Sequence, residues 1–417
     1  MDRLKFSKKN VIIITVLSIL LIRSSAWLVT MPTLTNFCRT GMYCVAVIYG
    51  GLLIRDRKPV PMVLLVLLFY ALLGVSTLLG SRDDVSYLSY AFQGISLTIF
   101  FQYYLNRDAY RLAHLIRNYM IVLVVLNVAE QVFFPAGHEI RSGSQTYIMF
   151  LLGSRISFLP PYMLCLFLCF LCEILDYGRI CFTRGTILMI VVTIVSMLIF
   201  QVATGLIALG VMILLLACCR RRFRRFCDYW ILMLVFAATY LLIVVLTRAD
   251  FLAGVLDVFG KDMTFNNRSY IWASALVQIS RSPLIGHGIS QSGGFAIDYG
   301  NQFSFFNGEL RPAHNQILHV LFEGGALALA VYITMLLHLG RAVKRCAHKD
   351  LVLLASVTIF AFNLASITEI QSQRGWMFIL FVFVSNLGKF NDLLTEAENE
   401  DDDADEELTL EGMENVE

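Results

Sequence analysis

Arg268, His287 and His314 are the side chains of this chain whose types and setting could do chemistry. All three fall within residues 247–316, a polar stretch rich in glycine and aromatics that separates two long apolar segments. It reads NNRSYIWASALVQISRSPLIGHG and then RPAHNQILHVLFEGG. An arginine presents a planar fork of donors matched to phosphate oxygens. An imidazole can take a proton from a reacting hydroxyl near neutral pH. A clamp and a base together suit the transfer of a group away from a phosphate.

The elements that would hold these groups can be read from spacing. Asn266 or Asn267 can cap a helix with Arg268 in its first turn. Ile271, Trp272, Ala275, Leu276 and Ile279 recur at helical intervals, and the helix should stop before Pro283. Its N-terminus offers free N–H groups and partial positive charge, which suit a phosphate. The amphipathic pattern fits a helix lying at a membrane surface with Trp272 as anchor. Arg268 then has two readings, a phosphate clamp or a cation snorkelling to lipid headgroups. His287, between Gly286 and Gly288, reads as structural.

Arg311-Pro312-Ala313-His314 opens the next apolar segment, and proline favours the first helical position. His314 is therefore expected in the first helical turn, where the positive helix end favours the neutral imidazole that accepts a proton. Glu323 lies about two turns deeper, beside Gly324 and Gly325. An ionisable group at that depth is costly in lipid and marks a functional candidate. An arginine of another span, or His319 one turn above, would be its partner. Glu130, Glu369, Arg155 and Arg374 sit near expected outer ends and could line the same polar cavity.

The rest of the chain is built for lipid. Of 417 residues, 58% are hydrophobic and 15% charged, against about 25% charged in soluble domains. Apolar runs of about 20 residues recur, each long enough to span a bilayer. Twelve spans are expected, near 10–30, 36–54, 60–80, 86–105, 115–134, 156–175, 185–201, 203–219, 228–246, 317–339, 351–368 and 375–390. The fold class is thus an all-α polytopic membrane bundle, residues 1–391, with one large extracytoplasmic loop at 247–316. The apolar run 147–153 is too short to cross and is expected to be re-entrant. Met1–Asn10 is basic and leads into the first span, which lacks a clear cleavage site and reads as retained.

Charge sets the orientation. With a cytoplasmic N-terminus, 22 of the 33 basic residues lie inside, the RRRFRR cluster after Cys219 among them; the positive-inside rule prefers this arrangement. Both termini are then cytoplasmic and the long loop faces outward. Thirteen of the 31 acidic residues crowd into 392–417, a cytoplasmic tail too poor in apolar residues to fold alone and expected to be disordered. None of the ten cysteines lies in the long loop. Cys165, Cys169 and Cys172 share a helix face and read as packing, and no zinc or iron–sulfur spacing occurs. No cofactor, metal or nucleic acid is expected.

The run from Arg268 through Trp272 to Pro283, Leu284, Gly286 and Gly288, then His314-Asn315 and Gly324-Gly325, resembles the O-antigen ligase and Wzy-type polysaccharide polymerase superfamily of bacterial membrane proteins. The resemblance covers residues 150–345. It implies a bundle like the large GT-C membrane glycosyltransferases and location in the bacterial cytoplasmic membrane. The implied substrate is an oligosaccharide on a polyprenyl pyrophosphate, and the implied product is a capsule, O-antigen or exopolysaccharide. His314 would activate the acceptor hydroxyl and Arg268 would hold the pyrophosphate. Arg155, Arg311 and Arg374 would supply a second clamp, with Glu323 as a further substrate-binding group. A flippase and a chain-length regulator are the implied protein partners. Two departures stand out. Ala328 occupies a position where ligases carry Gly, Thr or Tyr, which favours polymerase over ligase. Ala203-Thr204-Gly205 stands where the family often has a serine–arginine step. Other readings are a transporter or lipid-linked oligosaccharide flippase, which predicts charges inside the spans, and a scaffold acting through its acidic tail.

Overall fold

The computed structural model describes residues 8–21, 31–58, 60–80, 84–142, 145–219, 224–246, 268–289, 295–296, 310–371 and 375–399. Its helices are α1 (Lys8–Leu21), α2 (Pro32–Asp56), α3 (Pro61–Leu79), α4 (Asp84–Leu105), α5 (Ala109–Phe133), α6 (Leu159–Tyr177), α7 (Arg184–Ile199), α8 (Ala203–Cys218), α9 (Tyr229–Leu246), α10 (Arg268–Arg281), α11 (Gln316–Arg345), α12 (Lys349–Ser366), α13 (Trp376–Ser385) and α14 (Leu387–Asn399). Each expected span overlaps a helix over its described residues. Among the described residues, six of them (α2, α3, α5, α6, α11 and α12) are long and apolar enough to cross a membrane. The pair α13 and α14, bent by 46°, makes a seventh. Four more apolar helices are shorter. The chain is a multi-pass membrane protein.

Burial explains the layout. α6 is buried along almost its whole length, and α12 and α13 share that centre. A helix apolar all round belongs in the middle of a bundle. The outer helices turn large apolar side chains outward, among them Val47, Leu78, Leu188 and Leu234. Such a surface is stable in lipid, where apolar groups have no water to avoid. Proline at the first helical positions starts α2, α3 and α6, where its missing N–H costs nothing.

The expectation of a purely helical chain needs one correction. Residues 147–153 are not re-entrant but belong to a small antiparallel sheet. Its strands are β1 (His138–Ser142), β2 (Gln145–Phe150) and β3 (Gly153–Ser154), with His138 opposite Met149. Thr146, Tyr147, Ile148 and Phe150 favour extended backbone. Buried side chains of α5 fasten this sheet. Leu151 N–H donates to Glu130 Oε2 at 2.6 Å, and Leu152 N–H donates to Asn127 Oδ1 at 2.8 Å. Asn127 in turn donates to the Tyr162 hydroxyl, which contacts Ser196 Oγ at 2.7 Å. One polar chain thus joins α5, α6 and α7. Phe150 meets Phe200, just beyond α7, at 4.9 Å between ring centres. The end of the bundle bearing this sheet also bears the start of α8, the end of α12 and the start of α11.

The opposite end is tied by carboxylates. Glu173 accepts from the backbone N–H groups of Cys181, Phe182 and Thr183. Asp350 accepts from Ile180 N–H and pairs with Arg224. The described chain continues as helix to Asn399, eight residues into the acidic segment.

Candidate functional site

His314 sits where two elements are stapled together. α11 does not begin at Pro312 as its sequence suggests. Asn315 is the N-cap, with φ −157°, and its side-chain oxygen accepts from Leu318 N–H at 2.9 Å. An asparagine oxygen satisfies a first-turn donor that proline cannot. The Asn315 amide then donates to the Ile367 carbonyl at 2.9 Å. One residue on, Gln316 Oε1 accepts from Gln371 N–H at 2.8 Å. The segment following α12 is thereby clamped against the start of α11.

His314 precedes this cap with φ 45°, the left-handed region. Non-glycine residues rarely adopt it, and such strain concentrates at functional sites. Glu369, carried by the clamped segment, lies with Oε2 3.6 Å from His314 Nδ1. Glu369 is buried and His314 partly exposed. At 3.6 Å this is an ion-pair distance rather than a hydrogen bond, and it places a carboxylate beside the imidazole. Thr204, first noted as a departure from the family pattern, shares a 3.0 Å hydrogen bond with Thr368, the neighbour of Glu369. The start of α8 therefore borders the pair.

Glu323 lies deeper in α11, and its carboxylate is 3.2 Å from His319 Nε2. Among the described residues, His319 is its close partner. Both are buried. α11 is broken just beyond this point. Gly325 has φ 64° and ψ −166°, outside any helix. An unbroken helix would bond Ala326 N–H to Phe322 and Leu327 N–H to Glu323. Instead Ala326 N–H donates to the Pro283 carbonyl at 2.8 Å and Leu327 N–H to the Leu284 carbonyl at 3.2 Å. The freed carbonyls of Phe322 and Glu323 accept from His287 N–H at 2.7 Å and Gly288 N–H at 2.8 Å. Residues 283–288 are thus spliced into the break, and these four backbone groups keep their partners, as burial within the bundle demands. Ser76 Oγ adds a 2.5 Å bond to the Glu323 carbonyl.

The described part of α10 runs over Arg268–Arg281, and its apolar face packs against α11. Ile271, Trp272, Ala275 and Ile279 are buried against Ala313, Leu318 and Phe322. Trp272 is 3% exposed, so it is a packing residue and not an interfacial anchor. The cluster extends from Phe322 only toward the α11 N-terminus, while Gln278 of α10 is held near Phe322 through His287. The two helices therefore run parallel, and the backbones of Arg268 and His314 both stand at the N-terminal end of this pair.

Residues 188–333 match the O-antigen ligase family. The resemblance read from the sequence holds for that region, which runs from α7 to beyond the break in α11. It includes Arg268, the splice, His314 and Glu323; Glu369 lies beyond it. No curated protein matches the chain.

The remaining expected site residues are placed unevenly. Arg155 is exposed in a short 3-10 turn, Arg155–Ser157, at the site end of the bundle. The backbone of Arg311 pairs with Phe295 in a two-stranded sheet, β4 (Phe295–Ala296) with β5 (Leu310–Arg311), three residues before His314. Arg374 and the side chains of Arg268 and Arg311 lie outside the described residues. Among the described residues, no three His, Cys, Asp or Glu side chains converge as a metal site requires. Asn315, Gln316, Gln371 and Thr204 escaped sequence reasoning as site residues. The cap-forming asparagine after His314 was the one available signal.

Proposed function

We propose that this protein joins lipid-linked saccharides at the outer face of a bacterial membrane by metal-independent glycosyl transfer. The observation that carries the reading is the His314–Glu369 pair, at a strained and clamped helix start within the ligase-family region. The match of residues 188–333 to the O-antigen ligase family supports ligase or polymerase activity on a lipid-linked saccharide.

The chemistry balances as a single displacement. His314 Nε2 takes the proton of an acceptor hydroxyl, and that oxygen bonds to the anomeric carbon of the donor. The bond from that carbon to the pyrophosphate oxygen breaks, with its electron pair leaving on oxygen. Glu369 holds His314 in orientation and stabilises the imidazolium that forms. Arg268 and the α10 N-terminus receive the developing pyrophosphate charge, and Arg155, Arg311 and Arg374 furnish a second clamp. The anomeric centre passes through an oxocarbenium-like state and inverts. Loss of one clamp costs roughly 10²–10³ in rate, by analogy with oxyanion donors.

Polymerase is the preferred assignment, on Ala328. The test is the surface polysaccharide of a deletion strain complemented with wild-type or His314→Ala chain. Single repeat units left on the lipid carrier, with no ladder, establish the polymerase. Long polymer stranded on its carrier instead establishes the ligase. Normal polymer from the variant rejects both.

A further inference from the structure

We propose that His287 is a positioning residue that fixes the axial register of α10 on α11, and so sets Arg268 relative to His314. The proposal rests on the glycosyl-transfer reading given above.

His287 contacts both helices at once. Its backbone N–H donates to the Phe322 carbonyl of α11 at 2.7 Å. Its ring stacks on Phe322, 5.2 Å between centres and 28° between planes. Its Nε2 lies 2.7 Å from the Gln278 carbonyl of α10 and is the donor, since a carbonyl can only accept. Gln278 lies in the last turn of α10, where carbonyls have no helical partner. Its regular partner would be Ser282 N–H, which instead donates to Ile279 at 3.1 Å. The imidazole therefore caps α10 from a loop spliced into α11.

The apolar contacts of α10 among the described residues fix its face more than its axial position. Ile271, Trp272, Ala275 and Ile279 fix which face of α10 meets α11. Apolar contact is non-directional, however, and resists sliding along the axis weakly. A charge-free hydrogen bond of fixed length and direction does resist it. From Gln278, ten residues of helix carry the position to Arg268, about 15 Å away at 1.5 Å per residue. The splice anchors His287, with Gly286 at φ 80° and Gly288 at φ 77° on either side. Register set at the buried end is thus delivered to the outer end, where a shift of about 1 Å can cost 10²-fold in rate.

The test uses the full chain in detergent, with lipid-linked repeat units extracted from its host as substrate. His287→Phe keeps the ring stack and removes the donor; His287→Gln supplies an amide donor. Amide exchange over 272–281 should quicken in His287→Phe and stay closer to wild type in His287→Gln. Turnover of His287→Phe should fall about 10- to 100-fold in the wild-type background and not fall further in Arg268→Ala, because the effect passes through Arg268. Unchanged exchange in α10 overturns the tie itself. An equal loss in both backgrounds marks general destabilisation and overturns the positioning role. Quickened exchange with a fully active Arg268→Ala leaves the tie standing and removes its catalytic purpose, which overturns the Arg268 reading instead.

Discussion

Gly286 and Gly325 exclude a side chain from each other's surroundings. A Cβ on Gly286 would stand 2.6 Å from the Gly325 nitrogen, and one on Gly325 would stand 2.3 Å from the neighbouring Leu284 carbonyl carbon. Both have positive φ. Two glycine motifs some forty residues apart in sequence therefore form one joint, in which the turn after α10 completes a broken helix. Gly286→Ala and Gly325→Ala each meet backbone, which cannot rotate aside. Each should destabilise the chain by about 2–4 kcal/mol, combining left-handed strain with overpacking. Thermal unfolding in detergent checks this, and wild-type melting of either variant would contradict the splice.

The His314–Glu369 contact separates orientation from charge. Glu369→Gln keeps the shape and removes the carboxylate, and should lower turnover about 10- to 100-fold with little change in KM. Glu369→Asp keeps the charge and should recover part of the loss. A rise in KM with unchanged turnover would place Glu369 in substrate binding instead.

The sheet at residues 138–154 hangs on Glu130 and Asn127. Glu130→Ala leaves Leu151 N–H without its 2.6 Å acceptor and frees His138, which lies 3.1 Å from the other carboxylate oxygen. An orphaned buried donor costs about 1–3 kcal/mol. Limited proteolysis should cut within 138–150 faster in Glu130→Ala than in wild type. Equal rates would show that the strands hold themselves.

The helices were legible because long apolar runs leave a bilayer-spanning chain few alternatives, and each expected segment overlaps a helix. The body of α10 and its end before Pro283 were legible too, from apolar spacing and the proline. The fine placement was not. Pro312 suggested the start of α11, but Asn315 supplies the capping oxygen and displaces the start past His314. Trp272 suggested a surface anchor because periodicity shows a face and not what covers it; α11 covers it. The splice is a backbone pairing of residues 283–288 with 322–327, and backbone pairing leaves its trace only in the glycines it requires. The Glu369 contact with His314 depends on the clamp between Asn315 and Ile367, a tertiary bond that no local pattern records.

The acidic end offers a clean separation of roles. Removing residues 400–417, which lie outside the described residues, should leave polymer formation unchanged. Loss of polymer with normal protein levels would revive the scaffold reading.

The most direct measurement is turnover of lipid-linked repeat units by purified wild-type and His314→Asn chain in lipid vesicles. Asparagine tolerates the φ of 45° at this position but cannot act as a base. His314→Asn should fold, melt as wild type and form joined saccharide at least about 10²-fold more slowly, the scale of a lost general base. Joined product at the wild-type rate would contradict the account and return His314 to a structural role.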